Sequence, residues 1–290
     1  MRAEIPPFTI SEPAALTSSA VFASPHSGLH YPRALHEQSG LTIAQLRRAE
    51  DSFVDEIFAA APDFGAPLLR ATHARVWLDV NREAHELDPA MFTDRLPPHA
   101  NTSSLRVAAG LGTVPRLVGD GFEIYRRKLP YREAERRIRT IYRPYHEALR
   151  QLLRRAVEGF GHGVLIDCHS MPSRPLANSR EAAGGRADIV LGNRFGTTCA
   201  EELIEAVEQT WRNLGYRVGR NVPYAGGFAT YHYGQPREGL HSLQIEINRA
   251  VYMEETFYRR RSDFPAIVAD AARVIETITA LDLSLPLAAQ

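Results

Sequence analysis

Gly163-Val164-Leu165-Ile166-Asp167-Cys168-His169-Ser170 decides the fold class. A short apolar run stops abruptly at a cluster of polar, chemically able side chains. Such a run is too short for a helix and reads as a strand covered on both faces. The same pattern recurs along the chain. Residues 21–24 lead into Pro25-His26-Ser27-Gly28, and residues 189–191 lead into Gly192-Asn193. Residues 75–80 alternate, are rich in β-formers and end in Asn81-Arg82, while 243–247 carries Glu246 inside an apolar run. Between these lie helical stretches. Residues 42–60 place Leu46, Phe53, Val54, Ile57 and Phe58 on an apolar stripe, and 131–157 is amphipathic with Pro144 set to kink or split it. Residues 198–214 repeat Cys199, Leu203, Val207 and Trp211 at helical spacing, and 257–281 is a last helical region with Pro265 inside it. Strands alternating with helices predict an α/β fold, with a mixed, mainly parallel sheet and helices on both faces.

No internal repeat or low-complexity tract divides the chain, so 1–290 is expected to be a single catalytic domain. Two stretches rich in Pro, Gly and polar residues, 86–121 and 172–188, are expected as long loop insertions of the kind that serve as lids or binding loops. The 34 Lys and Arg balance the 34 Asp and Glu, which removes the electrostatic case for nucleic acid or an anionic membrane. No apolar run approaches the roughly 20 residues that cross a bilayer. Residues 1–13 lack a basic segment followed by an apolar one, so a cytoplasmic protein is expected. Cys168 and Cys199 are far apart and form no CxxC pair, as expected of buried thiols in a reducing compartment. Cys168, inside Asp-Cys-His-Ser, stays open as a minor alternative nucleophile.

In open α/β sheets ligands bind beyond the carboxyl ends of strands, so the polar clusters point to one shared site. His26 and His169, with a carboxylate, would supply three ligands and leave a fourth position for water, the usual make-up of a catalytic zinc site. Asp167, two residues before His169, falls on the same side of a strand and could orient a ligand. Asp51 is the candidate carboxylate. It lies one helical turn from Asp55, and the two are either a ligand with its support or a charge pair on a solvated face; Glu50 is the neighbouring alternative. Glu246, flanked by isoleucines, suits general-base work if desolvated, or forms a structural ion pair with a residue such as Arg249. Asn81 and Arg82 could hold a substrate carboxylate in the two-pronged way that arginine allows, or pair with Asp79 or Glu83. The glycine-rich 224–234 segment offers His232 to polarise a carbonyl, or is an ordinary connection.

Taken together, Ser24-Pro25-His26-Ser27-Gly28 with Tyr31-Pro32, Asp51-Ser52-Phe53-Val54-Asp55, Leu78-Asp79-Val80-Asn81-Arg82 and Tyr142-Arg143-Pro144-Tyr145-His146 form one ordered set. Asp167-Cys168-His169-Ser170-Met171, Gly226-Gly227 through His232-Tyr233-Gly234, and Gln244-Ile245-Glu246 with Tyr252-Met253 complete it. This set resembles the N-formylglutamate amidohydrolase (deformylase) family. The resemblance implies a fold similar to zinc carboxypeptidases. In that group a strand-end Asp-x-Asn-Arg holds a substrate carboxylate, a strand-end His ligates zinc and a strand Glu is the base; Asp79-Val80-Asn81-Arg82, His169 and Glu246 match those roles. The chain departs from the carboxypeptidase pattern at Leu29, where a ligating glutamate would stand, so Asp51 is the substitute. It departs again at Ser52-Phe53, where larger aromatic or His residues are expected. The resemblance thus implies Zn2+, or another divalent ion such as Co2+, on His26, Asp51 and His169. Glu246 and His232 would be catalytic, and Asn81, Arg82 and Arg249 would bind substrate. The implied reaction takes N-formyl-L-glutamate to formate and L-glutamate, a step of histidine breakdown. Another N-acyl amino acid or short peptide as substrate, or a non-catalytic binding relative, are the alternatives.

Overall fold

The computed structural model describes residues 5–119, 121–173 and 187–283. One seven-stranded sheet runs in the order β1 (Phe8–Ser11), β3 (Leu68–Ala71), β2 (Ala20–Ser24), β4 (Gly163–Met171), β7 (Leu240–Asn248), β5 (Ile189–Gly192), β6 (Val218–Arg220). Strand β4 is parallel to both β2 and β7, and β5 is antiparallel to β7 but parallel to β6. The sheet is therefore mixed and mainly parallel in an α/β fold, as the alternation of strands and helices implies. Strand β4 is buried at every position, as a central parallel strand must be. It does not stop at Ile166. β7 matches it residue for residue from Gly163↔Leu240 to Met171↔Asn248, so Asp167 and His169 lie within the sheet.

The chain forms two compact units. One comprises 10–24, 51–69 and 149–290 and holds the main apolar core. Val164, Ile166 and Cys168 of β4 join Leu243, Ile245 and Ile247 of β7 in this core, which leaves Asp167, His169, Gln244 and Glu246 for the opposite face. Two helices complete the core. Leu203, Ile204, Val207 and Trp211 come from Glu201–Asn213, and Ile267, Ala271, Val274, Ile275 and Ile278 come from Phe264–Thr279. Each Leu, Ile or Val among them stabilises the fold by about 1.5–3 kcal/mol on full burial. The other unit, 1–9, 25–50 and 70–148, is organised around Arg137, which is 0 % exposed. Its guanidinium lies 3.2 Å from the Trp77 ring centroid and donates to Trp77 O, to Tyr125 Oη at 2.7 Å and to Glu133 Oε1 at 2.9 Å.

Several expected elements differ, each for a physical reason. The 42–60 helix is broken into Ile43–Leu46 and Val54–Ile57, because Glu50 is extended and Phe53 is left-handed at φ 68°. Residues 75–80 are not a strand. Trp77 N and Leu78 N both donate to Ala74 O, and Asp79 Oδ1 accepts from Asn81 N, which turns the backbone. All of 76–80 is buried, so alternation in residue type carried no alternation in exposure. The 131–157 stretch is interrupted next to Pro144, as expected: Tyr131–Arg137 and Arg143–Phe160 are joined by the π turn Ile138–Tyr142. Pro144, with no N–H to give, thus falls in the first turn of the second helix. Pro265 likewise opens Phe264–Thr279 rather than interrupting it, at a position where a missing N–H costs nothing. The 86–121 loop carries a short helix, Leu105–Ala108, capped by Ser104 Oγ on Val107 N at 3.0 Å. Most of the 172–188 loop, residues 174–186, lies outside the described residues. Among the described residues no helix is long and apolar enough to cross a membrane.

Candidate active site

Parallel register places His169 beside Glu246 and Asp167 beside Gln244 on one face of the sheet. Asp51 approaches this face from the break before Val54–Ile57, where left-handed Phe53 turns the chain. Asp51 Oδ2 lies 2.9 Å from His169 Nδ1. The second nitrogen, His169 Nε2, lies 2.9 Å from Asp167 Oδ1, a close charge contact rather than a linear hydrogen bond. Asp167 Oδ2 accepts from Thr230 Oγ1 at 3.3 Å. Burial pushes the His169 pKa down, but the charges of Asp167, Asp51 and Glu246 outweigh it and hold the imidazole well above its ordinary value. Arg249 donates to Ser170 Oγ at 3.2 Å and to Asp51 Oδ1 at 3.4 Å.

His26 follows β2 by two residues, and Gly28 makes its position possible: a Cβ there would sit 2.3 Å from His73 O. His26 Nε2 and Asp79 Oδ1 are 2.8 Å apart, and both residues are 2 % exposed. Burial alone would raise the Asp79 carboxyl; Arg75, Arg82 and His26 reverse that and hold it well below the usual carboxylate range. Asp79 is therefore a charged acceptor, which favours a proton on His26 Nε2 and so orients the ring.

Among the described residues, His26, Asp51 and His169 form the group that could hold a metal ion. All three are buried, and one ligand atom from each lies within 4.8 Å of the others. Two imidazoles and one carboxylate are the donor set of catalytic zinc sites, and both imidazoles carry the carboxylate partner that such ligands need. The residues present thus fit the expected ion.

The family model for N-formylglutamate amidohydrolase matches residues 18–253. The chain belongs to the N-formylglutamate amidohydrolase family. It is 29 % identical to N-formylglutamate deformylase of Pseudomonas putida over 81 % of this chain and 82 % of that one. It is 27 % identical to the Pseudomonas aeruginosa deformylase over 88 % of both. A crystal structure of N-formylglutamate amidohydrolase from Ralstonia eutropha JMP134 superposes with a TM-score of 0.89 at 37 % identity, covering 95 % of this chain and 98 % of that one. A gene product from Agrobacterium tumefaciens, 16 % identical, shares the fold with a TM-score of 0.62 over 94 % of both chains.

The other candidates fall in different settings. Glu50 is occupied by Tyr31 Oη and by Arg47 Nε at 3.0 Å. Asp55 sits half-buried in the first turn of Val54–Ile57, not in the ligand group. Arg82 is buried with its nitrogens on Leu111 O, Asn81 O and, at 3.4 Å, Asp79 Oδ2; burial above all lowers its pKa to about 10. Asn81 is buried beside it. His232 is exposed on the short helix Phe228–Tyr233, with its ring stacked on Phe228 at 4.9 Å. Burial first, then Arg150, lowers its pKa, so it is neutral at neutral pH. Cys168 faces the apolar core, where burial and Asp167 push the thiol far up, which argues against a thiolate nucleophile. Sequence reasoning missed Asp79 as the partner of His26 and Gln244 as the partner of Glu246. The expected pairing of Arg82 with Asp79 is present at 3.4 Å, but nothing in the sequence links Asp79 to His26, 53 residues earlier.

Proposed function

We propose that this chain hydrolyses N-formyl-L-glutamate to formate and L-glutamate, with a divalent ion, Zn2+ or a substitute such as Co2+, held by His26, Asp51 and His169. The observation that carries the reading is the buried His-Asp-His group with Glu246 in register beside His169. Chain-length similarity to two N-formylglutamate deformylases supports the choice of substrate. When bound, the ion supplies a Lewis acid that polarises the formyl carbonyl and makes water more acidic.

The chain's own groups do the rest. Glu246 takes a proton from the attacking water as the C–O bond forms, and gives it to the leaving nitrogen as the C–N bond breaks. Asp79 orients the His26 imidazole through Nε2, and Asp167 sets its charge against His169 Nε2. Arg249, beside Asp51 and Ser170, is assigned to a substrate carboxylate. Asn81 and Arg82 are assigned to the same task, although Arg82 would have to exchange Leu111 O for the ligand. His232, neutral and exposed, is assigned as a hydrogen-bond donor to substrate as it enters.

Glu246→Gln tests the mechanism. The amide keeps the shape and cannot take a proton, so kcat should fall by about 100- to 10,000-fold with the metal still bound. Turnover within threefold of wild type by a metal-loaded variant would remove Glu246 from the role of base.

A further inference from the structure

Gln244 and Glu246 are two residues apart on β7 and so share a face. The Gln244 carboxamide joins two things that sequence alone does not connect. Its Oε1 accepts from the backbone N–H of Gly227 at 2.7 Å, and its Nε2 donates to Glu246 Oε1 at 2.9 Å. The orientation is not arbitrary, because a backbone N–H can only donate. Gly227 therefore fixes the oxygen end of the amide, and the nitrogen end must face the carboxylate. Gln244 is buried, at 4 % exposure, so neither bond competes with bulk water.

The surrounding chain is shaped to permit this bridge. On β5, Gly192 is the register partner of Gln244. A Cβ at Gly192 would meet Ala225 C at 2.8 Å and Gly226 N at 2.9 Å, so only glycine lets the 225–227 backbone come this close to the sheet. Gly226 is itself left-handed, at φ 126°. Asn193 and Asn221 tie the flanking loops, through Asn221 Nδ2 to Asn193 Oδ1 at 2.9 Å. Arg194 N donates to Ala225 O at 2.8 Å. The Gly227 N–H is thus presented to Gln244 by a braced turn.

We propose that Gln244 is a positioning residue for catalysis, whose amide aims the Glu246 carboxylate and locks it to the glycine turn that leads into His232. The proposal rests on Glu246 as the base. Its chemical content is that one amide sets two positions together: the base through the nitrogen, and the loop through the oxygen.

Two variants separate the two ends. Gln244→Glu keeps an oxygen for the Gly227 N–H but sets a second carboxyl against Glu246, so that the two share a proton and Glu246 is no longer a free, correctly aimed base. Gln244→Met keeps the length and loses both. For N-formyl-L-glutamate hydrolysis, kcat should fall in both by on the order of 10- to 100-fold, the cost of a misaimed catalytic group, while KM stays within about threefold. Zinc content should stay at the wild-type ratio. Amide hydrogen exchange at Gly227 should quicken by about tenfold or more in Gln244→Met and stay near wild type in Gln244→Glu, since only the former frees the N–H. A wild-type kcat in Gln244→Glu, with or without a defect in Gln244→Met, would overturn the proposal by showing that the nitrogen end does nothing. Loss of zinc in Gln244→Glu would overturn it too, by making Gln244 a support of the metal group. Glu246→Gln, measured alongside, tells the failures apart: full turnover there overturns the base assignment and this proposal with it, whereas an inactive Glu246→Gln beside a fully active Gln244→Glu overturns the positioning role alone.

Discussion

His26 Nε2 sits 2.8 Å from Asp79 Oδ1, and this pairing orients the His26 ring. Asp79 is held charged by Arg75 and Arg82, at 2.9 and 3.4 Å, so it favours the imidazole proton on Nε2. His169 is arranged alike, with Nε2 toward Asp167 and Nδ1 toward Asp51.

Asp79→Asn should weaken metal binding without removing a ligand. The amide can present its NH2 group to His26 and so favour the wrong tautomer. Competition against a chromophoric chelator should show affinity reduced by about 10- to 100-fold. Unchanged affinity would mean that the Asp79 contact does not orient His26.

Arg137→Met should destabilise the chain by about 3–5 kcal/mol, because it strands the buried groups that the guanidinium satisfies. Those groups are Trp77 O and Tyr125 Oη, whereas Glu133 Oε1 keeps Arg136 Nη2 at 2.8 Å. Urea unfolding measures the cost, with Arg33→Ala as control. Arg33 pairs with Glu37 at 92 % side-chain exposure, and its loss should change stability by about 0.5 kcal/mol or less. A drop below about 1 kcal/mol for Arg137→Met would contradict its role as the organiser of its unit.

His73 sets a pH dependence of stability. Burial chiefly, with the charges of His30 and Arg136, lowers its pKa from 6.5 to about 4. The unfolded chain therefore takes up this proton before the folded one does. The contribution is complete above pH 6.5 and is lost as pH falls from 6.5 toward 4. The melting temperature should fall over that window, and the slope should be shallower in His73→Gln. Parallel slopes for the two proteins would refute this.

The sheet was legible because β4 opens on the apolar run Val164-Leu165-Ile166 and β7 sets Leu243, Ile245 and Ile247 at alternate, buried positions. A polar residue in such a run stands out, which is how His169 and Glu246 were found. Asp51 was harder. Its place comes from a helix break at Phe53, and propensity suggested a continuous helix there. The segment 75–80 misled because its β-forming residues are buried in a turn, held by side chains far away in sequence such as Arg137. The same tertiary control explains Arg82, whose guanidinium is committed to the Leu111 carbonyl, 29 residues on. The bond from Gln244 to Gly227 was invisible because its partner is a backbone N–H 17 residues away, placed by the turn and not by any side chain.

The most direct measurement is formate release from N-formyl-L-glutamate by the purified chain, by the chain stripped with a chelator, and by the stripped chain supplied with Zn2+ or Co2+. Formate from the untreated protein, none after stripping, and recovery on adding either ion is the predicted result. Formate release that survives complete removal of metal, or none from N-formyl-L-glutamate with either ion supplied, would contradict the account.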